Sequence, residues 1–264
     1  MKDIQNEFDS RGIDIQKVGI KNFSIPLNIR RKNLSNQIVN ATACMSVSLP
    51  KHYKGTHMSR FVEILNEWQN KDMLGSDLKG CVEAIVEKLS ALNGELVLNF
   101  NYFMKKFAPV SKYESVMCYE CSFKSILTDY KTDKESYKFV LGVKVPVMTL
   151  CPCSKEISEY GAHNQRAVVS VNVSYDRNEH IWIEDLIEII ENCASSPVYP
   201  LLKREDEKFV TENAYNNPKF VEDVLRDVIS AFRENPIIKE FEVECESMES
   251  IHNHSAWAYQ KEVK

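Results

Sequence analysis

Four short stretches of this chain carry side chains able to hold a metal, move protons or meet a phosphate. The first is Cys151-Pro152-Cys153-Ser154-Lys155, followed by Glu159-Tyr160-Gly161-Ala162-His163. In an extended chain Cys151 and Cys153 project to the same side, and Pro152 stiffens the pair by fixing one φ angle. His163 opens the next strand across a polar loop, so it can return towards a thiolate. Thiolate plus imidazole is a borderline-soft donor set suited to zinc and similar transition metals. Two buried cysteines and a capping histidine is the plainer reading of the same residues. The second stretch, Glu249-Ser250-Ile251-His252-Asn253-His254, offers two imidazoles and a carboxylate for acid–base work near neutral pH or for metal ligation. His252 and His254 share a face if the backbone is extended, and Glu249 lies opposite unless a turn intervenes. A solvated polar hairpin is the alternative there.

In the third stretch, Gly55-Thr56-His57-Met58-Ser59-Arg60-Phe61 runs into a helix. A helix N-terminus bearing threonine, histidine and arginine suits a phosphate, although Thr56 as an ordinary N-cap explains it equally well. The fourth is Lys203-Arg204-Glu205-Asp206-Glu207-Lys208, which taken alone reads as a solvated face. Glu222 and Asp223 open the apolar helix beyond it, where carboxylates suit the positive end of the helix dipole. Cys118 and Cys121 form a C-x-x-C, but they lie inside an expected strand. Three-residue spacing there puts them on opposite faces, so they read as structural. Cys44, Cys81, Cys193 and Cys245 sit in apolar surroundings and read as core or near-core residues.

The elements that must position these groups follow one pattern used twice. Strands are expected over Val18–Ile29 and Ile38–Leu49. A helix follows over Met58–Trp68, with Phe61, Ile64, Leu65 and Trp68 at helical spacing. A second helix runs over about Asp77–Leu89 and is ended by Asn93-Gly94; strands follow near Glu95–Phe107 and Glu114–Thr128. The order then repeats: strands Tyr137–Leu150 and Arg166–Tyr175, helices Ile183–Ile190 and Val221–Phe232, strands Phe241–Cys245 and Ser255–Tyr259. Ala167, Val169, Val171, Val173 and Tyr175 alternate along one strand. Asn235-Pro236 stops the last helix. Two ββααββ units, 1–134 and 135–264, place helices on one face of an antiparallel sheet, an α+β fold with the second unit carrying most of the chemistry. Open sheet edges are normally paired or covered, so self-association is expected.

The chain has 264 residues, 44% apolar and 27% charged, and a net charge of −5. That balance argues against attraction to nucleic acid or to anionic membranes, so an anionic substrate needs a local basic pocket. Met1 to Asp9 lacks the apolar stretch of a signal peptide, and no run approaches the length of a membrane helix. The expected compartment is the cytoplasm, where eight cysteines are better divided into core and site residues than paired.

The segment Cys151 to Arg166 resembles the signature of type IB GTP cyclohydrolase I. Further blocks match in order: Gly55 to Phe61, Leu202 to Glu212 with Pro218 to Asp223, and Glu249 to His254. Glu205 departs from the pattern, standing where proline is expected, but Asp206 and Glu207 still follow. The resemblance implies the tunnelling fold, with two ββααββ units per subunit in a barrel-like homotetramer. It implies GTP as substrate and dihydroneopterin triphosphate and formate as products. It assigns Cys151, His163 and Glu207 to one divalent metal (zinc, manganese or iron), with Glu249 a candidate fourth contact. Cys153 and His254 match catalytic positions, with His252 beside them. Glu222 matches the carboxylate that holds the guanine edge, and His57 and Arg60 are implied on the phosphate side. The alternatives are a related archaeal cyclohydrolase with a cyclic phosphate product, and a metal-binding protein that turns nothing over. A tunnelling-fold nitrile reductase would need its own signature, which is not found.

Overall fold

The fold was obtained as a computed structural model that describes residues 3–68, 72–73 and 77–264. The strands are β1 (Ile15–Arg31), β2 (Leu34–Leu49), β3 (Asp72–Met73), β4 (Gly94–Phe107), β5 (Glu114–Thr128), β6 (Ser136–Leu150), β7 (Asn164–Tyr175), β8 (Ser196–Pro197), β9 (Ile238–Met248) and β10 (Ser255–Val263). The helices are α1 (Met58–Trp68), α2 (Leu78–Lys88), α3 (Pro152–Ile157), α4 (Ile183–Cys193), α5 (Arg204–Asn216) and α6 (Val221–Glu234). Strands are hydrogen-bonded in the order β10-β9-β7-β6-β5-β4-β2-β1-β3, with β8 against β6. β1 with β2, β2 with β4, β7 with β9 and β9 with β10 pair antiparallel. The chain forms two compact units, Met1–Asn101 with Ser122–Leu141 and Asp176–His180, and Tyr102–Cys121 with Gly142–Tyr175 and Ile181–Lys264.

In the first unit, alternate residues of β1 and β2 are buried: Ile25, Leu27 and Ile29 on one, Val39, Ala41, Ala43, Met45 and Val47 on the other. Phe61, Ile64 and Leu65 of α1 and Leu78, Cys81, Val82, Ile85 and Val86 of α2 complete this core. The chain leaves α2 earlier than Asn93-Gly94 suggests. Ser90 takes φ 52°, its N–H donates to the Glu87 carbonyl, and the Ala91 N–H donates to the Val86 carbonyl at 2.9 Å. This paired closure satisfies the last helical carbonyls without a glycine. Gly94 serves packing instead: a Cβ there would lie 2.5 Å from a Val86 methyl of α2.

In the second unit, α6 buries Val221, Val224, Leu225, Val228, Ile229 and Phe232, the stripe its spacing implies. Phe232 meets Phe241 of β9 edge-to-face at 5.6 Å, a pair whose truncation to alanine would cost roughly 3–5 kcal/mol. α4 adds Ile183, Leu186, Ile187 and Ile190. Cys118 is exposed and Cys121 buried, as alternation in β5 requires.

One local expectation is corrected and two are made specific. Pro152 and Cys153 begin the short helix α3, so Cys151 and Cys153 do not share the face an extended chain would give them. Proline favours the first helical turn, where its missing N–H costs nothing. The run Lys203 to Lys208 is solvated apart from Asp206 and forms the cap and first turn of α5, whose buried residues Asp206, Val210 and Ala214 follow a four-residue spacing. Finally, Glu249 to His254 is a turn between β9 and β10, the alternative in which Glu249 need not lie opposite the histidines.

Candidate active site

The polar groups of the second unit gather where its buried strand faces change character. β6 buries Val143, Val145 and Val147, then Thr149; β9 buries Phe241, Val243 and Cys245, then Ser247. β7 buries Ala167, Val169, Val171 and Val173, and Gln165 precedes them on the same parity. Three neighbouring strands thus turn from apolar to polar at one end of their inward faces. Thr149 and Ser247 are 1% and 0% exposed, where an unbonded hydroxyl would cost roughly 1–3 kcal/mol. Each is bonded: Ser247 donates to Glu249 Oε1 at 3.2 Å, Thr149 and Ser247 hydroxyls lie 3.2 Å apart, and Gln165 Nε2 donates to Thr149 Oγ1 at 3.1 Å. Gln165 Oε1 lies 2.9 Å from His163 Nδ1.

Cys151 caps α3, its sulfur accepting from the Ser154 N–H. Its backbone N–H donates to the His163 carbonyl at 3.1 Å, and the Ser154 hydroxyl donates to the Cys151 carbonyl and accepts from the His163 N–H. The loop between them closes on itself, joining the backbones of Cys151 and His163 from positions the sequence separates.

A cavity of about 260 Å³ is lined by Thr149, Gln165, Ser247 and five of the expected residues: Cys151, Glu222, Glu249, His252 and His254. The turn after β9 accounts for this convergence, because it folds Glu249 back towards the histidines, whose rings stack at 5.2 Å. Glu222 is exposed in the first turn of α6, so it serves both as a helix-start carboxylate and as a cavity wall. Below it lies Cys245, whose thiol is pushed up to about 12 by burial and by the Glu222 charge. Lys219, also on the wall, is spent on Asp227 at 2.7 Å and on the Cys193 carbonyl.

The remaining expected residues lie elsewhere. Cys153 is exposed in α3 and Glu207 is exposed in the first turn of α5. Beside Glu207, Asp206 is fully buried and accepts from the N–H groups of Val110, Ser111 and Lys203 and from the Ser111 hydroxyl. Burial opposes its charge, but these four donors outweigh it and hold the carboxyl well below the usual carboxylate range. His57 and Arg60 line a cavity of about 440 Å³ in the first unit, with Ser48, Tyr53, Gly55 and Thr56. His57 Nε2 sits 3.4 Å from Asp3, and Arg60 donates to the Lys88 carbonyl at 3.0 Å.

As a metal site the second unit fits in kind: Cys151 and His163 are joined through their backbones, and the imidazole is already held through Nδ1. Among the described residues no group of three His, Cys, Asp or Glu is gathered for an ion. Sequence reading passed over Thr149, Gln165, Ser247 and Lys219. The signal for the first three was the polar residue ending each otherwise apolar alternation.

The family profile described as type I GTP cyclohydrolase folE2 matches residues 1–258. GTP cyclohydrolase FolE2 of Citrifermentans bemidjiense is 53% identical over 98% of this chain and 93% of its own. The FolE2 proteins of Geobacter sulfurreducens and Thermosipho africanus are 49% and 48% identical, each over 98% of this chain and 96% of their own. Among solved structures, a mutant Bacillus sp. TB-90 urate oxidase superposes with TM-score 0.56 over 95% of this chain and 100% of its own, at 8% identity. The uricase of Arthrobacter globiformis gives 0.54 over 94% and 93%, also at 8% identity. These neighbours share the tunnelling fold, which the α+β sheet described above adopts. At about half identity over nearly the whole chain, and with the signature blocks in place, this protein belongs to the type I GTP cyclohydrolase FolE2 family.

Proposed function

We propose that this chain is a GTP cyclohydrolase I that opens the imidazole ring of GTP, releases carbon 8 as formate and forms 7,8-dihydroneopterin triphosphate. The observation that carries the reading is the convergence of Cys151, Glu222, Glu249, His252 and His254 on one cavity from three separate parts of the fold, the cap of α3, the start of α6 and the turn after β9. The Glu222 carboxylate can accept from guanine N1–H and the 2-amino group together, a pair adenine does not offer. Recognition through paired hydrogen bonds discriminates far more strongly than shape alone. His252, His254 and Glu249 lie on one turn and hand protons to and from the purine nitrogens as its ring opens, formate departs and the new ring closes. Cys153 acts with His254 in these transfers.

In this reading Cys151, His163 and Glu207 hold one divalent ion, zinc, manganese or iron, with Glu249 as a fourth contact. When bound, such an ion supplies Lewis acidity near neutral pH. His57 and Arg60 act on the phosphate side. The protein works in the cytoplasm as a homotetramer with active sites at subunit interfaces. The edge strand β10, with Trp257 59% and Tyr259 44% exposed, offers an edge unpaired among the described residues for that assembly. Light scattering should give a tetramer; a fully active species near 30.5 kDa would overturn it.

Incubating the purified protein with GTP and following pterin absorbance and fluorescence, with formate quantified in parallel, tests the activity. Stoichiometric formate with the open triphosphate supports it. A cyclic phosphate product assigns the archaeal-type reaction instead, and no turnover in the metal-loaded protein leaves a binding protein.

A further inference from the structure

The chain of hydrogen bonds from Glu249 to His163 has a direction, and proton counting sets it. A carboxylate oxygen only accepts, so the Ser247 hydroxyl, 3.2 Å from Glu249 Oε1, spends its one proton there. Ser247 therefore accepts from Thr149, 3.2 Å away, and the Thr149 proton is spent in turn. Thr149 must then accept from Gln165, which requires the amide NH₂ to face Thr149 at 3.1 Å and the amide oxygen to face the imidazole. That oxygen, 2.9 Å from His163 Nδ1, accepts only if Nδ1 carries hydrogen. The Ser250 hydroxyl, 3.4 Å from the same nitrogen, is a longer second acceptor. Every proton is accounted for along a path on three adjacent strands, most of it buried.

We propose that Gln165, Thr149 and Ser247 are positioning residues that hold His163 as the Nδ1–H tautomer, so that the Nε2 lone pair is presented for coordination. The inference rests on the reading of Cys151 and His163 as metal ligands. It explains three features at once: polar residues on apolar strand faces, the orientation of the Gln165 amide, and a carboxylate tied to the turn that carries the acid–base histidines. Free imidazole side chains favour hydrogen on Nε2, which would leave the wrong nitrogen for an ion on that side. A hydrogen-bond partner on the second nitrogen is the usual device for setting a ligating histidine. The relay also couples the two halves of the cavity, because the group that orients the ligand ends on Glu249.

The test reads the tautomer directly. Two-bond ¹H–¹⁵N spectra of metal-free protein, above the pH range where histidine is charged, should show His163 as Nδ1–H. Gln165→Leu should move it to Nε2–H and weaken zinc(II) binding, measured against a competing chelator, by about 10–100-fold. Gln165→Glu keeps an oxygen towards Nδ1 and should retain both the tautomer and most of the affinity. Thr149→Val frees the amide to rotate and should give a mixture of tautomers, whereas Thr149→Ser keeps the hydroxyl and should behave as the native protein. Should Thr149→Val fail to fold, the Gln165 and Thr149→Ser arms still decide. His163 found as Nε2–H in the native protein, or unmoved in Gln165→Leu, overturns the proposal. So does a Gln165→Glu variant as weak as Gln165→Leu, which would reduce Gln165 to packing. If native protein and Cys151→Ala bind zinc(II) equally, the ligand reading is lost while the tautomer spectra still decide the relay.

Discussion

Two cavities of this chain hold most of its candidate site residues, and they differ in what their polar groups already do. In the second unit, polar side chains are bonded to one another in a line that ends on the imidazole of His163, and Glu222 is left facing the cavity. In the first unit, Arg60 is engaged by the Lys88 carbonyl, whereas His57 Nε2 lies 3.4 Å from Asp3 and makes no hydrogen bond among the described residues. The first arrangement is preorganised: its hydrogen bonds already orient side chains that line the cavity. In the second, Arg60 must exchange its internal partner for a ligand. Chemistry and discrimination are therefore expected to concentrate in the second unit, and modest contributions to binding in the first.

The largest effect should come from the paired donors. Cys151→Ala and His163→Ala are expected to lose bound metal and turnover together, by three orders of magnitude or more on the scale of a removed catalytic group. Cys118→Ala, on the exposed face of β5, should keep both. Elemental analysis alongside the pterin assay decides this, and normal metal in both site variants would discard the assignment. Next in size is Glu222→Gln. Losing a charged acceptor for two donors typically costs on the order of 1.5–3 kcal/mol, roughly ten- to a hundredfold in affinity. KM for GTP should rise and discrimination against other nucleotides fall with metal content intact. Unchanged kinetic constants would return Glu222 to the helix-start role it also fills.

Much of this comparison was legible in the sequence, for reasons that differ by element. α6 and β7 show clean periods because each packs one face against a single apolar layer, so burial and spacing agree. α5 hid because its inward face is an aspartate, a valine and an alanine, too short a stripe to stand out from its charges. The pairing of Cys151 with His163 and the grouping at Glu249 could be suspected from residue type. What brought Glu249 across to the histidines was a turn that no glycine or proline announces. The relay was the least legible part. One threonine or glutamine at a strand end is unremarkable alone, and only the pairing of β9 with β7 and of β7 with β6 aligns the three.

Asp206 sharpens the contrast through stability rather than chemistry. Its folded carboxyl titrates below its unfolded value, so the stability it contributes is complete above about pH 4–5 and is lost as pH falls through the folded value. Asp206→Asn should lower Tm by several degrees near neutrality, because three N–H donors and a hydroxyl lose a charged acceptor. The gap between variant and native protein should close as pH falls below about 4. Since Asp206 anchors the start of α5, where Glu207 lies, metal affinity should fall with it, by less than in Cys151→Ala. A Tm difference that stays constant to low pH would show that shape, and not charge, holds this helix.

The smallest effect belongs to the first unit and is the sharpest way to break the comparison. Half-exposed pairs such as His57 with Asp3 are worth on the order of 0–1 kcal/mol, whereas hydrogen bonds to a charged phosphate typically contribute more. A triphosphate could therefore displace the internal partners at a small net gain. Arg60→Ala is expected to raise KM for GTP roughly three- to tenfold with kcat and metal content unchanged. The effect should shrink in high salt, because an exposed charge interaction is screened. Arg60→Lys should recover part of it, since charge survives while the planar fork is lost. Asp3→Asn makes the exchange visible from the other side: if Asp3 competes with phosphate for His57, neutralising it should lower KM slightly. Should Arg60→Ala instead depress Tm and leave KM alone, the arginine is a cap on the end of α2. The first-unit cavity would then have no part in binding GTP.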